Sequence, residues 1–393
     1  MRRATLSPLA VAAAALLVRT VAALLSDRVV ADVLRYHKVA SHVLDVSWNP
    51  YLAPRLYPYP AAWIWVEVAA EWLARHAGVS FALAVKTPVL LADAALAGLL
   101  AGWALDRMAA GTRPTFSWAG WAYALHPVAV LVAGFHGQFD AAALLALLYA
   151  LRARERGHLD RSALTLAAGI ALKSFPVLVL PFVLLFLPDA RARVRYVALA
   201  VLPVIVLLAP FAVADRAALA RELFAYAGVA DFGWIGAVRA VRAAVTGHLL
   251  RAGAEQWGAL VPVSKGVFVL VIAALWWATA ARRLRWSLEA SALAVLLAFQ
   301  VFYGALSAQY LLWPVPLALL LGERLAALHA AAATVALLGF YVLLAPGVLT
   351  PAEAPLMPAA IAQGLWMAGT IAVWLVSAAW LAGLVRRARS VAA

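Results

Sequence analysis

The chain alternates between apolar runs of about 20 residues and short polar punctuation. The runs fall at 7–25, 81–105, 115–134, 141–156, 162–187, 197–213, 260–281, 287–306, 309–322, 326–346 and 360–385. A helical run of that length spans the hydrocarbon core of a bilayer, so the pattern predicts an all-α, polytopic transmembrane helix bundle. The longest interval without such a run, 26–80, predicts a long first extracytoplasmic loop. Within it, 61–76 is apolar and aromatic but short, and it carries Glu67, Glu71 and Arg75. It reads as an interfacial or re-entrant helix rather than a crossing.

Basic residues set the expected orientation. They cluster at Arg2/Arg3, Arg107/Arg113, Arg152/Arg154/Arg156/Arg161, Arg191/Arg193/Arg195, Arg282/Arg283/Arg285 and Arg386/Arg387/Arg389. The positive-inside rule puts all six clusters on the cytoplasmic face. The run 162–187 joins two of them, and one helix cannot leave the membrane and return. Lys173 and Pro176 at its centre therefore predict two short helices meeting near 173–176, a break that membranes tolerate where the free backbone faces protein or a cavity. With that pair counted as two, about twelve crossings result. Both termini are then cytoplasmic, and the polar motifs emerge together on the extracytoplasmic side. Arg19 interrupts the first apolar run, which favours an uncleaved first helix over a signal peptide.

Composition narrows the class. Of 393 residues, 66% are hydrophobic and 13% charged, about half the charged share of a soluble domain. No polar linker divides the chain, so it reads as one membrane domain, 1–393. Its motifs lie within about 1–322, and 323–393 read as packing helices. The net charge of +14 sits between apolar runs, as expected opposite an anionic leaflet, and does not suggest nucleic acid as a partner. With no cysteine, disulfides, thiolate metal sites and thiol nucleophiles are excluded. The absence of a Gly-rich phosphate loop and of H-E-x-x-H argues against ATP-driven transport and metalloprotease chemistry. Abundant Ala, Leu, Val and Arg with little Lys suggests a GC-rich bacterial genome, hence a bacterial inner membrane.

The candidate chemistry is carried by five segments. On a helix, Asp32, Arg35 and Tyr36 share a face; a carboxylate there can accept a proton from a hydroxyl, or simply pair with Arg35 in water. Phe135-His136-Gly137-Gln138-Phe139-Asp140 sets three hydrogen-bonding side chains at a helix junction, suited to sugar hydroxyls or a phosphate, or to Asp140 capping the next helix. Lys173, inside an apolar run, is a functional candidate by default, with Asp140 as its expected partner and snorkelling as the alternative. Asp231-Phe232-Gly233-Trp234 precedes an amphipathic stretch, 235–251, with Arg239, Arg242 and Arg251, which reads as an interfacial helix rather than a ligand site. In Ser307-Ala308-Gln309-Tyr310-Leu311-Leu312-Trp313-Pro314, Gln309 and Tyr310 are hydrogen-bonding candidates, and Trp313 is either another or a belt anchor.

An acid in the first outer loop, Tyr57-Pro58-Tyr59-Pro60, Gly137-Gln138-Phe139-Asp140, Lys173-x-x-Pro176 and Ser307-x-Gln309-Tyr310-x-x-Trp313 occur in that order. Together they resemble the C-type superfamily of integral membrane glycosyltransferases over roughly residues 20–320. The nearest likeness is to bacterial polyprenol-phosphate-sugar-dependent mannosyl- and hexosyltransferases, glycosyltransferase family 87 and relatives. Ala308 departs from the usual Pro of the last motif. The resemblance implies inverting transfer of a hexose, mannose foremost, from a polyprenyl-phosphate sugar to a lipid or glycan hydroxyl at the extracytoplasmic face. It implies Asp32 as the general base, with Asp27 the alternative, and Arg35, His136, Gln138, Asp140, Lys173, Gln309 and Tyr310 on the donor phosphate and substrate. No cofactor or metal is expected, although Asp32 and Asp140 are the pair that could share an ion. The rival reading is a secondary transporter or flippase for a lipid-linked sugar, which would also have broken helices and a buried cation.

Overall fold

A computed structural model describes residues 7–53, 56–112, 115–224, 228–249, 257 and 260–390. Arg2, Arg3, Arg113 and Arg251 lie outside the described residues. The fold is all helical. In chain order the helices are α1 (Pro8–Leu25), α2 (Ala31–Asp45), α3 (Ile64–Ala77), α4 (Phe81–Ala109), α5 (Ala119–Ala124), α6 (Pro127–Ala129, continued by a π-helical turn over Val130–His136), α7 (Asp140–Glu155) and α8 (Leu159–Leu172). There follow α9 (Leu180–Leu185, after a 3-10 stretch Phe175–Val179), α10 (Ala190–Phe224), α11 (Gly233–Thr246), α12 (Leu260–Ala280), α13 (Leu288–Phe302), α14 (Val315–Leu320, after a 3-10 stretch Ala308–Leu312), α15 (Leu325–Leu343) and α16 (Ala359–Ser390).

Six of these, α1, α4, α10, α12, α15 and α16, are long and apolar enough to cross a membrane. The others are shorter, and two runs expected as continuous crossings are broken. The run 115–134 divides at His126-Pro127, where His126 is extended (φ −70°, ψ 120°), as the residue before a proline tends to be. The run 309–322 divides into a 3-10 stretch and α14 around Pro314. The break expected in 162–187 is present: α8 ends at Leu172, and Lys173 is extended at φ −150°, ψ 137°.

Each proline break removes an amide donor, and a buried side chain supplies a replacement. Pro127 cannot donate to the carbonyl of Tyr123, four residues earlier. Arg19, fully buried on α1, gives that carbonyl a hydrogen bond at 3.0 Å and also donates to the Ala124 carbonyl. Its Nε donates to Asp93 at 2.6 Å, whose other oxygen accepts from the Tyr123 hydroxyl at 2.6 Å. Pro314 likewise cannot donate to the Tyr310 carbonyl, which accepts from the Trp313 amide at 3.3 Å and from Gln300 Nε2 at 2.8 Å. The interrupting Arg19 of the first run thus holds the α5–α6 break. Elsewhere small residues let helices approach closely: a Cβ on Gly339 of α15 would lie 2.3 Å from the Trp366 amide nitrogen of α16.

The described basic clusters gather at one end of the bundle. Arg152 and Arg156 pair with Asp106 at 2.6 and 2.5 Å, and Arg107 with Glu155 at 2.9 Å. Arg195 pairs with Asp160 at 2.5 Å, and the Arg285 amide donates to the Ala388 carbonyl. The polar motifs lie at the other end.

Candidate active site

A cavity of about 790 Å³ lies at that other end. It brings together Asp32, Arg35, His136, Lys173, Gln309 and Tyr310 from four separate segments. Gln138 and Asp140 lie directly behind it, fully buried and bonded to Asp32 and Lys173.

Asp32 stands in the first turn of α2, aimed by Ala31, whose backbone is left-handed (φ +50°). That conformation is unusual for a residue with a side chain and is held by the packing around it. Gln138 Nε2 donates to Asp32 Oδ2, and the Tyr36 hydroxyl donates to Gln138 Oε1 at 3.1 Å. Asp32, Tyr36 and Gln138 therefore form a single relay across two elements. His136 Nε2 lies 3.3 Å from Asp32 Oδ2, and its Nδ1 lies 3.2 Å from the Tyr341 hydroxyl. Burial works to raise the Asp32 pKa, but His136 and the charges of Arg35 and Lys173 outweigh it and hold the carboxyl below its usual range. Arg35 approaches the other oxygen at 3.6 Å and is about half exposed. The alternative Asp27 is exposed, accepts from Ser80 and does not line the cavity.

The π-helical turn before Gly137 sets the spacing of His136 and Gln138; such turns are frequent at functional sites. Gly137 (φ +77°) reverses the chain there, and a Cβ would lie 2.7 Å from Lys86 Cγ. Lys86 Nζ donates to the Phe135 carbonyl at 2.7 Å and to the Ser26 carbonyl at 2.8 Å, fastening the turn to the end of α1.

Lys173, in the break after α8, donates to Asp140 Oδ2 at 2.6 Å, and Trp313 Nε1 donates to Asp140 Oδ1 at 2.6 Å. Asp140 makes no side-chain capping bond at the start of α7; both its oxygens serve Lys173 and Trp313. Lys173 is buried, not snorkelled, and its ammonium sits 4.7 to 5.7 Å from the ring centres of Phe139, Tyr59 and Tyr310, within cation–π range. Trp313 is likewise buried and is no belt anchor. Gln309 lines the cavity, and its Oε1 is buried with no hydrogen-bond partner among the described residues.

Two groups read from sequence as part of an interfacial helix belong to the cavity. Asp231 and Arg239 line it, 3.5 Å apart, and Arg239 is buried with its guanidinium over Trp366. Burial, with the Asp32 charge, raises the Asp231 pKa to about 6 against the opposing pull of Arg239. The C-terminal segment is more than packing. Tyr341 orients His136, Trp366 Nε1 donates to the Asp231 carbonyl at 3.2 Å, and Phe340, Leu344 and Ala345 line the cavity. His329 and Ser377 contact Gln300 Oε1 at 3.1 and 2.9 Å and so fix the donor to Tyr310. Among the described residues no three His, Asp or Glu side chains gather as a metal site. Asp32 and Asp140 are committed to different partners.

Comparison with known proteins finds no matching family, no matching curated protein and no matching solved structure.

Proposed function

We propose that the chain is an inverting glycosyltransferase that moves a hexose, mannose foremost, from a polyprenyl-phosphate sugar to a hydroxyl of a lipid or glycan. The observation that carries this reading is one cavity holding an ionised carboxylate, Asp32, beside the cations Arg35 and Lys173 and the amide of Gln309, whose oxygen has no partner among the described residues. In the proposed step the acceptor oxygen attacks the anomeric carbon and its proton passes to Asp32. The bond from that carbon to the phosphate oxygen breaks, and its electron pair leaves with the polyprenyl phosphate. The leaving group is already an anion, so a base and positive charge suffice and no general acid is required. Attack opposite the departing phosphate inverts the anomeric centre.

The size of the cavity fits a hexose with its phosphate. Val177, Leu178, Leu223, Phe224 and Phe268 give it an apolar flank suited to the first isoprenoid units. Gln309 Oε1 accepts a sugar hydroxyl in this reading, and Gln138 keeps Asp32 oriented. Counting α5 with α6, the 3-10 stretch with α9, and the 3-10 stretch with α14 as short crossings beside α7, α8 and α13 gives about twelve. The basic end then faces the cytoplasm of a bacterial inner membrane, and the cavity faces outward.

The test is sugar transfer by purified protein from polyprenyl-phosphate mannose and polyprenyl-phosphate glucose, with membrane lipid extract as acceptor. Transfer is expected from one donor and is abolished in Asp32→Asn, which keeps the side-chain shape and loses the proton acceptor. Undiminished transfer by Asp32→Asn would remove the mechanism. Passage of the intact lipid-linked sugar across liposomes, without transfer, would favour a flippase.

A further inference from the structure

At the end away from the cavity, α9, α10, α12 and the link from α12 to α13 meet around another hollow, of about 730 Å³. Its wall includes Leu185, Phe186, Trp286 and three arginines, Arg193, Arg282 and Arg285, and no carboxylate lines it among the described residues. The neighbouring arginines behave differently. Arg152, Arg156, Arg195 and Arg387 are each paired with a carboxylate within 2.7 Å. A nearby groove bordered by Arg161, Arg191 and Arg195 also contains Asp160 and Asp189.

Positive charge that only fixes orientation can stand anywhere on this end of the bundle. Here three exposed arginines border one hollow with no carboxylate in its wall among the described residues, and Arg193 is tethered to the Leu187 carbonyl at 3.4 Å. Arg282 also holds a left-handed backbone (φ +56°), unfavourable for a residue with a side chain. The wall is braced: Trp286 Nε1 donates to Thr279 Oγ1 at 3.0 Å, and the Arg285 amide donates to Ala388. Guanidinium groups recognise phosphate oxygens through paired donors.

The surroundings indicate where the phosphate comes from. The hollow opens at the end of α12, whose exposed Leu270, Trp276 and Trp277 carry an apolar, aromatic face to its rim. We infer that this hollow binds the phosphate of an anionic phospholipid headgroup, with the acyl chains lying along α12. The site is separate from the cavity and stands whether or not the proposed transfer is correct. α10, α12 and α13 reach the cavity with their other ends, at Phe224, Lys265 and Phe299, so a lipid bound here braces helices that also wall the cavity.

Native mass spectrometry of the full chain, titrated with phosphatidylglycerol, phosphatidylcholine or inorganic phosphate, tests this. One phosphatidylglycerol is expected to bind in preference to phosphatidylcholine. Replacing Arg193, Arg282 and Arg285 by Gln together should weaken it by roughly fivefold per arginine, about a hundredfold in all. The matched variant Arg161→Gln, Arg191→Gln, Arg389→Gln removes the same charge elsewhere and should leave binding within about twofold, well inside that margin. An equal loss in the matched variant would show that net charge alone holds the lipid and would overturn the site. Inorganic phosphate binding as tightly as the lipid, or phosphatidylcholine binding equally, would overturn the headgroup assignment. Should the triple variant not be recovered folded, Arg193→Gln alone carries the test through its fivefold loss.

Discussion

At the scale of residues, the cavity is built from charges whose partners are themselves buried, so single substitutions should show large and unequal effects. Lys173→Met leaves Asp140 buried with only Trp313, and losing one member of a buried pair costs about 3–5 kcal/mol. Adding Asp140→Asn should recover most of that stability, measured by thermal unfolding in detergent, while donor use stays lost because the cation is gone. Recovery of donor use in the double variant would exclude Lys173 from the phosphate. Asp231 makes a prediction about pH. Folded, it keeps its proton up to about pH 6; unfolded, it releases it near its ordinary value of about 3.8. The native state binds the extra proton between these values. The stabilisation is therefore full below about pH 4 and lost as pH rises through about 6, roughly 3 kcal/mol in all. Melting curves should show that extra decline in the wild type and not in Asp231→Asn; parallel curves would contradict the assignment. Of this chemistry, Lys173 was legible because a cation inside an apolar run is costly, while Asp32, Gln138 and Asp140 were named by the order of their motifs, each with an ordinary structural role open beside it. Asp231 and Arg239 were not, because their amphipathic context also fits a surface helix. What carries them inward is remote pairing: the amides of Asp231 and Phe232 both donate to the Leu306 carbonyl.

At the scale of elements, the recurring device is a proline break served by a distant side chain. Arg19→Leu would leave Asp93 buried without its counter-charge and withdraw donors from two carbonyls. A loss of about 3–5 kcal/mol is expected. Gln300→Leu withdraws a donor from the Tyr310 carbonyl and the oxygen that His329 and Ser377 contact, strands no buried ion, and should cost about 1–3 kcal/mol. Thermal unfolding of the two variants, compared with wild type, checks that order; equal losses would mean that the buried Arg19–Asp93 pair adds nothing beyond the hydrogen bonds. The break in 162–187 was legible because two basic clusters had to share a face. The breaks at Pro127 and Pro314 were not, since hydropathy averages over a proline without registering the missing donor. Their partners lie on α1 and α13, and no local pattern links Arg19 to Pro127. The C-terminal segment was underestimated for a related reason. Tyr341, Trp366, His329 and Ser377 are scattered singly among apolar residues, and only the packing of α15 against α16 and α13 brings them to the cavity wall or behind it.

At the scale of the whole molecule, the arginine clusters and the cavity occupy opposite ends of the bundle. α12 shows this directly: Lys265 lines the cavity and Thr279 the arginine-bordered hollow, about 21 Å apart at 1.5 Å per residue. That separation has a purpose under the proposed activity. A polyprenyl-phosphate sugar presents its headgroup at one membrane surface, and the base must meet it there. In that proposal the arginine-rich end faces the anionic cytoplasmic leaflet and the cavity faces the other side. Because the chain has no cysteine, single introduced thiols can report the orientation without a background. Val46, 74% exposed in the segment between α1 and α4, belongs to the cavity end. His158, exposed between α7 and α8, belongs to the arginine end. In intact spheroplasts a membrane-impermeant maleimide should label Val46→Cys and should label His158→Cys only after permeabilisation. The reverse pattern would place the cavity in the cytoplasm, where nucleotide sugars rather than polyprenyl-phosphate sugars become the natural donors, and would require a different leaving group for the same Asp32 and Lys173.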